Sequence, residues 1–575
     1  MSYLSVQPDV ISSAATNLAE IRTAVSAASA AASGPTTGLL SAAADEVSEA
    51  VAQLFGAYGA EYNAAIAKVG ALQEEFARTL AAGGLAYLET EIVNAASNAL
   101  SPILSPLKSL LSEAATAPAA AITLVMGASG YPIPIEDYIQ GIPPLYIDPF
   151  YTGGINIGIN TPEGLYPLTG IKDLTFDVSA ARGLTILDNA ITAAFGQLGA
   201  TSVNVFGYSQ SAVIASMEMM ALNPTNTLGG GPANLNFTLV GNPSNPNGGL
   251  LARFPGLALP SLGLDVFGIA TPDNSFPTRI FTIEYDGFGD FPQYPLNVLS
   301  DINAFLGIIE LHGRYPFLSG MELTVPPGGT AVELTNTVGP VQTHYYMIPT
   351  ENLPILSPLR AIPIIGNPLA ELIQPDMRVL VNLGYGSTTH GWSPDAPNVP
   401  TEFGVFPPVP PGEIVAALAA GTQEGIVNFS HEVSLITPSH FTALIPTVDT
   451  VKLGQLATGA QYSFASPQNF IQTLLAANLK LGYASSAIAG SAYATVLPTT
   501  DIVNAAVTAI PAYNIDLFGR GLLQAFNGDP VGGLINAFGK PIAADIGLAV
   551  LMAGFEVRVF QHAASDIADE LRALL

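Results

Sequence analysis

The run Val203-Asn204-Val205-Phe206-Gly207-Tyr208-Ser209-Gln210-Ser211-Ala212 restricts the fold more than any other stretch of the chain. An apolar strand breaks on a glycine, presents a serine and passes into the helical pattern Ser211 to Met220. So sharp a strand-to-helix turn is strained and crowded, so it needs small residues two positions either side of the turning residue. Gly207 and Ser211 meet that need. Such an elbow holds a serine hydroxyl at the top of a sheet and aims a helix N-terminus at charge developing beside it. With 56 glycines in the chain the five-residue pattern alone is weak; the bracketing strand and helix favour an elbow over an ordinary turn serine.

Strand and helix patterns alternate on both sides of this elbow. Ala121 to Met126 reads as a buried strand running into Gly127-Ala128-Ser129-Gly130, and further strands are predicted over Phe237 to Val240 and Arg279 to Tyr285, with a helix over Ala180 to Leu198. That alternation predicts an α/β fold with a parallel sheet, whose ligands sit at the carboxyl ends of the strands. A serine there becomes a nucleophile only if a base takes its proton, and the base is usually a histidine oriented by a carboxylate. In this fold the acid and then the histidine follow the serine in the chain. Asp286 and Asp290 come directly after the strand Arg279 to Tyr285, and His312 follows in His312-Gly313-Arg314-Tyr315. Asp286 is preferred as the closer to the strand end, while Asp290 follows a glycine and stays open; the other of the two then caps a turn or the helix starting near Pro295. His344, beside Tyr345 and Tyr346, is the rival base and reads better as a hydrogen-bonded core residue. Oxyanion donors are expected from the backbone N–H of Gln210 and from the Gly127 to Gly130 turn, with the Ser129 hydroxyl assisting. No P-loop lysine follows that turn, which disfavours a phosphate cradle. The stretch Phe254 to Phe276 has no basic residue and suits either an apolar wall beside the site or an irregular loop over the sheet edge.

Composition removes several function classes. A net charge of -28, from 17 Lys and Arg against 45 Asp and Glu, argues against nucleic acid and anionic lipid headgroups as partners. Zero cysteines exclude disulfides, thiol catalysis and Cys-based zinc sites. The six histidines show no H-E-x-x-H or paired spacing, so neither a metal site nor a cofactor is expected. At 575 residues the chain exceeds one core. No apolar run reaches the ~18 residues of a membrane helix without a proline or a charge, and the N-terminus lacks the basic n-region of a cleaved signal peptide.

Residues 1–92 read as two helices, the first striped by Ile11, Ala14, Leu18, Ile21, Val25 and Ala28, the second by Val47, Val51, Leu54, Tyr58, Ala65, Val69, Leu72, Phe76 and Leu80. So narrow a pair buries too little surface to stand alone, so it needs the rest of the chain or a partner. With Pro8-Asp9 near its start, this hairpin resembles the PE family of mycobacterial proteins, where Pro-Glu is usual. Tyr87 and Glu91 match the Y-x-x-x-[DE] element that the family uses as a type VII secretion signal. Residues 93–118, with Ser101-Pro102, Ser105-Pro106 and Ala117-Pro118, read as a linker.

From 119 to 386, the blocks Gly127 to Gly130, Gly207 to Ser211, Gly241-Asn242-Pro243, Tyr285 to Pro292, Asn303 to Tyr315 and Leu353 to Tyr385 resemble the PE-PPE domain, a cutinase-like α/β serine hydrolase. The resemblance implies an exported protein of the cell envelope that cleaves acyl or lipid esters through an acyl-enzyme on Ser209. Transfer of the acyl group to another hydroxyl would use the same intermediate. It also implies a PPE-type partner for residues 1–92 and passage through type VII secretion machinery. The competing expectation is a noncatalytic surface protein that uses the hydrolase fold as a scaffold. Residues 387–575, beyond Pro407-Pro408-Val409-Pro410-Pro411, read as a mainly helical extension without recognisable chemistry, with patterns at Glu413 to Val427, Pro467 to Leu481 and Ala543 to Leu575.

Overall fold

A computed structural model describes residues 33, 37, 121–171, 173–436 and 467–574. The expected helical hairpin, the linker and the residues Tyr87 and Glu91 lie outside this set. Beginning at β1 (Ile122–Met126), the chain runs through α1 (Glu136–Tyr146), β2 (Ile155–Ile159), α2 (Phe176–Gly196), β3 (Val203–Tyr208), α3 (Gln210–Leu222), β4 (Leu235–Val240), β5 (Thr278–Ile283) and α4 (Val298–Glu310). It continues through β6 (Val332–Glu333), β7 (Thr343–Ile348), α5 (Gly366–Asn382) and α6 (Pro411–Ser434). Three long helices follow: α7 (Pro467–Val507), α8 (Ala509–Phe526) and α9 (Pro530–Leu574).

The strands form one seven-stranded sheet of order β2-β1-β3-β4-β5-β7-β6. All neighbours are parallel except β6 and β7. Sheets of this kind are covered on both faces, so their strands carry apolar side chains without alternation. Ile122–Met126 and Val203–Tyr208 are accordingly buried at every position. One face packs against α2 and α3 through Leu124, Val205, Ala180, Leu187 and Val213. The opposite face holds Tyr146, Phe206, Phe281, Tyr285 and Tyr315.

From β1 the chain steps outward to β2 and then crosses back to β3, so the strand order reverses between β1 and β3. Ligands in open α/β sheets bind in the crevice that such a reversal leaves at the carboxyl ends of the strands. Ser209, at the end of β3, and the Gly127 to Gly130 turn, at the end of β1, both lie there. The last parallel strand starts late, because Gly339 turns the chain at φ +78° and Pro340 has no N–H to donate. Pairing begins only at Thr343, opposite Thr278.

Within Ala117–Leu575 the described residues form one compact unit. The C-terminal helices share a core with the α/β part, where Tyr513, Leu517, Leu548 and Leu551 pack with Phe254, Leu262, Phe291 and Phe403. No helix among the described residues is long and apolar enough to cross a membrane.

Candidate active site

Ser209 adopts φ 59° and ψ −116°, a conformation that L-residues avoid and that strand-to-helix elbows impose on the residue they present. Gly207 is required beside it: a Cβ there would lie 2.7 Å from the Ser211 carbonyl oxygen and 2.9 Å from the Ala212 Cα. Ser211 is more than a small residue. Its hydroxyl accepts from the Tyr208 N–H at 2.8 Å and donates to the Gly127 carbonyl at 2.5 Å. The elbow is thereby tied to the turn after β1, a role that its size alone did not reveal.

His312 begins the short 3-10 turn after α4. Its Nε2 lies 2.8 Å from Ser209 Oγ, and its Nδ1 lies 2.8 and 2.9 Å from the two Asp286 carboxylate oxygens. A carboxylate can only accept, so Asp286 fixes the proton on Nδ1 and leaves Nε2 free to accept from the serine hydroxyl. Asp286 is itself held by the Tyr315 hydroxyl at 2.7 Å and the Phe288 N–H at 3.2 Å. Burial, with the Asp286 charge adding to it, pushes the Tyr315 phenol well above its ordinary range, so it stays protonated and a donor. The Tyr208 hydroxyl donates to the His312 carbonyl, and the Phe288 ring stands edge-on to the imidazole at 4.8 Å. Gly241, at φ +53°, leaves room for this histidine; a Cβ there would sit 2.9 Å from His312 Cε1.

Asp290 is not part of this chain of contacts. Its carboxylate accepts from the Tyr285 N–H at 3.0 Å. Burial pushes its pKa well up, against the pull of that bond and of Arg253. Arg253 is fully buried, donates to the Phe291 and Thr401 carbonyls, and is drawn down to about 10 by desolvation. His344 lies far from Ser209. It pairs with Arg279 near the start of β5, at the opposite end of the parallel strands. Contrary to the core role expected for it, it is solvent-exposed and bonded to Glu333 at 2.8 Å.

Gln210 is the first residue of α3, so its N–H has no carbonyl four residues back within the helix. Its side chain accepts from the Ser129 hydroxyl at 3.2 Å and donates to the Gly164 carbonyl at 2.9 Å. The Ser129 hydroxyl is therefore engaged with an amide beside the expected oxyanion position. The bracing by Glu163-Gly164 escaped the sequence reading, because Thr161-Pro162-Glu163-Gly164 has the composition of an exposed turn.

Ser209 opens on an apolar cavity of about 100 Å³. Leu262, Leu264 and Phe267 of the stretch read as an apolar wall do line it. So do Ile502, Met552 and Phe555, from the helical extension whose sequence showed no recognisable chemistry. Helical patterning gives the elements there but not the face on which they dock.

The PE-PPE domain model matches residues 153–386 and the PE family model matches residues 4–94. Three proteins of Mycobacterium tuberculosis are similar over most of the chain. The uncharacterized PPE family protein PPE28 is 44% identical over 86% of this chain and 73% of its own length. Esterase PE16 is 42% identical over 71% of the chain and 73% of its own length. PE family protein PE3 is 40% identical over 80% of the chain and 95% of its own length.

Proposed function

We propose that this chain, which belongs to the PE family and carries a PE-PPE domain, is a serine esterase acting on carboxylic esters. The observation that carries the reading is the unbroken chain from Ser209 Oγ to His312 Nε2 and from His312 Nδ1 to Asp286. A relative named as an esterase, 42% identical, supports the same reaction class.

In the first step Ser209 Oγ attacks the ester carbonyl carbon as its proton passes to His312 Nε2, with Asp286 stabilising the imidazolium that forms. The carbonyl oxygen becomes an oxyanion, which the Gln210 N–H and the N-terminus of α3 are oriented to stabilise. Collapse expels the alcohol, protonated by His312, and leaves an acyl group on Ser209. Water activated by the same histidine releases the acid; a sugar or lipid hydroxyl in its place would make the enzyme an acyltransferase. Which acceptor is used depends on what reaches the site from the leaving-group side.

The expected result is that a fluorophosphonate probe labels the full-length protein at Ser209, and that p-nitrophenyl acyl esters are hydrolysed. Both signals vanish in Ser209→Ala. A wild-type protein that is folded yet takes no label has an unactivated serine, and the noncatalytic scaffold reading then replaces this one.

Residues 1–92 are read as the module that pairs with a PPE-type protein, supported by the PE family match over 4–94. Together with Tyr87 and Glu91 they would direct type VII export to the cell envelope. Coexpression tests the pairing: the full chain should copurify with a cognate PPE-type protein, and Leu54→Asp with Phe76→Asp should abolish copurification, because an unpaired charge in an apolar seam costs about 3–5 kcal/mol. Copurification of that double variant at wild-type yield would rule the seam out.

A further inference from the structure

The cavity beside Ser209 has walls from two distant parts of the chain. Leu251, Leu264, Phe267 and Phe288 come from the α/β part, while Ile502 of α7 and Met552 and Phe555 of α9 come from the C-terminal helices. Of the lining hydroxyls, that of Tyr166 is turned into a 2.6 Å bond with Asp501 of α7, and that of Ser129 is engaged with Gln210. Apart from the Ser209 hydroxyl, which is engaged with His312, the other lining side chains among the described residues are apolar, so a charged or hydrogen-bonding acyl group would lose its water on entry without recovering a partner.

The wall supplied by α9 is fixed in place. A Cβ on Gly554 would lie 2.5 Å from the Phe305 ring of α4, and one on Gly547 would lie 2.9 Å from Pro295. The helix backbone therefore rests directly on the α/β part, and Phe555, next to Gly554, is set by that approach. Its ring stacks on Phe288 with centroids 6.4 Å apart and meets Phe305 edge-on at 5.5 Å. Phe288 is the same ring that stands against His312. On the other side α7 is held by the bond from Tyr166 to Asp501 and by the Ser261 hydroxyl on the Asp501 carbonyl at 2.9 Å.

We infer that this cavity is the acyl-chain site, that the C-terminal helices complete it, and that Ile502, Met552 and Phe555 set the chain length it accepts. The inference rests on the reading of Ser209 as the nucleophile and adds a substrate class to it: esters of short, uncharged, apolar acyl groups. The size follows from the volume. A cavity of about 150 Å³ takes a benzene ring, so the smaller space here, about 100 Å³, suits a short acyl chain.

The test is a chain-length series of p-nitrophenyl esters from acetate to dodecanoate on the full-length protein, with calorimetric binding of the octanoate ester to the inert Ser209→Ala background as a second readout. In wild type, kcat/KM should peak near butyrate. In Phe555→Ala and in Met552→Ala the octanoate to butyrate ratio should rise at least ~10-fold, from the chain's added burial at about tenfold per one to two methylenes. Ile502→Trp should act oppositely and lower butyrate against acetate, an outcome that loosening of the fold would not produce. In the Ser209→Ala background, Phe555→Ala should tighten octanoate ester binding by a similar factor. Profiles that ignore all three substitutions while hydrolysis proceeds through Ser209 would overturn the acyl site and spare the nucleophile. Absent hydrolysis with binding still tuned by Phe555 would overturn the nucleophile and spare the acyl site.

Discussion

His312→Ala in the full-length protein is expected to lower kcat for a p-nitrophenyl ester by at least ~10³-fold, and Asp286→Asn by a comparable ~10³–10⁴-fold. Without His312 nothing takes the proton from Ser209 Oγ, which lies 2.8 Å from Nε2. The asparagine acts more indirectly: its amide can donate to Nδ1, which stabilises the tautomer with the proton on Nε2 and so removes the acceptor that the serine needs. Asp290→Asn should leave kcat within about tenfold, because its carboxylate serves the Tyr285 N–H and the electrostatics around buried Arg253 rather than the imidazole. Its effect should appear instead as a lower melting temperature. Circular dichroism on each variant separates loss of chemistry from loss of fold. A dead Asp290→Asn beside an active Asp286→Asn would reverse the assignment, and inactivity of His344→Ala with an active His312→Ala would move the base.

The choice between the two aspartates illustrates where a sequence stops being informative. Both follow the same strand within five residues, in a segment rich in glycine, and either could reach a histidine. What separates them is one backbone angle. Tyr285 turns at φ +68°, after which Asp286 meets His312 while Asp290 folds back onto the Tyr285 N–H. The strands β1, β3, β4 and β5 were legible because each is a short apolar run ending at glycine or a charge, and burial on both faces demands that pattern. Ile155–Ile159 was not, since its Ile-Asn-Ile-Gly-Ile alternation is only five residues long and sits between Gly153-Gly154 and Asn160, a setting that reads as a turn. Of the helices beyond 410, parts of α6, α7 and α9 were legible as helical patterns and α8 was not, whereas their docking depends on which alanine or glycine permits close approach. Gly554 reads like any other small residue until Phe305 is found against it. The acyl cavity was for the same reason half legible: the Phe254 to Phe276 wall has a composition to betray it, and the α7 and α9 wall does not.

Glu163 leads to the largest expected stability effect, one that depends on pH. It is fully buried, bonded through one carboxyl oxygen to the Thr161 hydroxyl and, among the described residues, without a partner at the other. Burial pushes its pKa up to about 8, with the Thr161 bond opposing. Below about 4.5 the group is protonated in the folded and unfolded chain alike, and its burial carries no ionisation penalty. Between about 4.5 and 8 the unfolded chain releases the proton while the folded chain retains it, so stability falls as pH rises, by at most ~1.4 kcal/mol per pH unit and by a few kcal/mol in all. Above about 8 both states are ionised and the loss is complete. Glu163→Gln keeps the shape and removes the titration. It should therefore unfold at a higher temperature than wild type at pH 9, with the advantage shrinking steadily to nothing, or reversing slightly, by pH 4. Comparing the two proteins at each pH cancels the general repulsion of a chain with net charge -28. The same residue holds the site, since its carbonyl accepts from the Gly130 N–H and the next carbonyl braces the Gln210 amide. Ionisation of Glu163 should then also loosen Gln210, and the alkaline decline of esterase activity should be shallower in Glu163→Gln than in wild type. A constant difference in melting temperature between the two proteins from pH 4 to pH 9 would show that Glu163 does not change its protonation on unfolding.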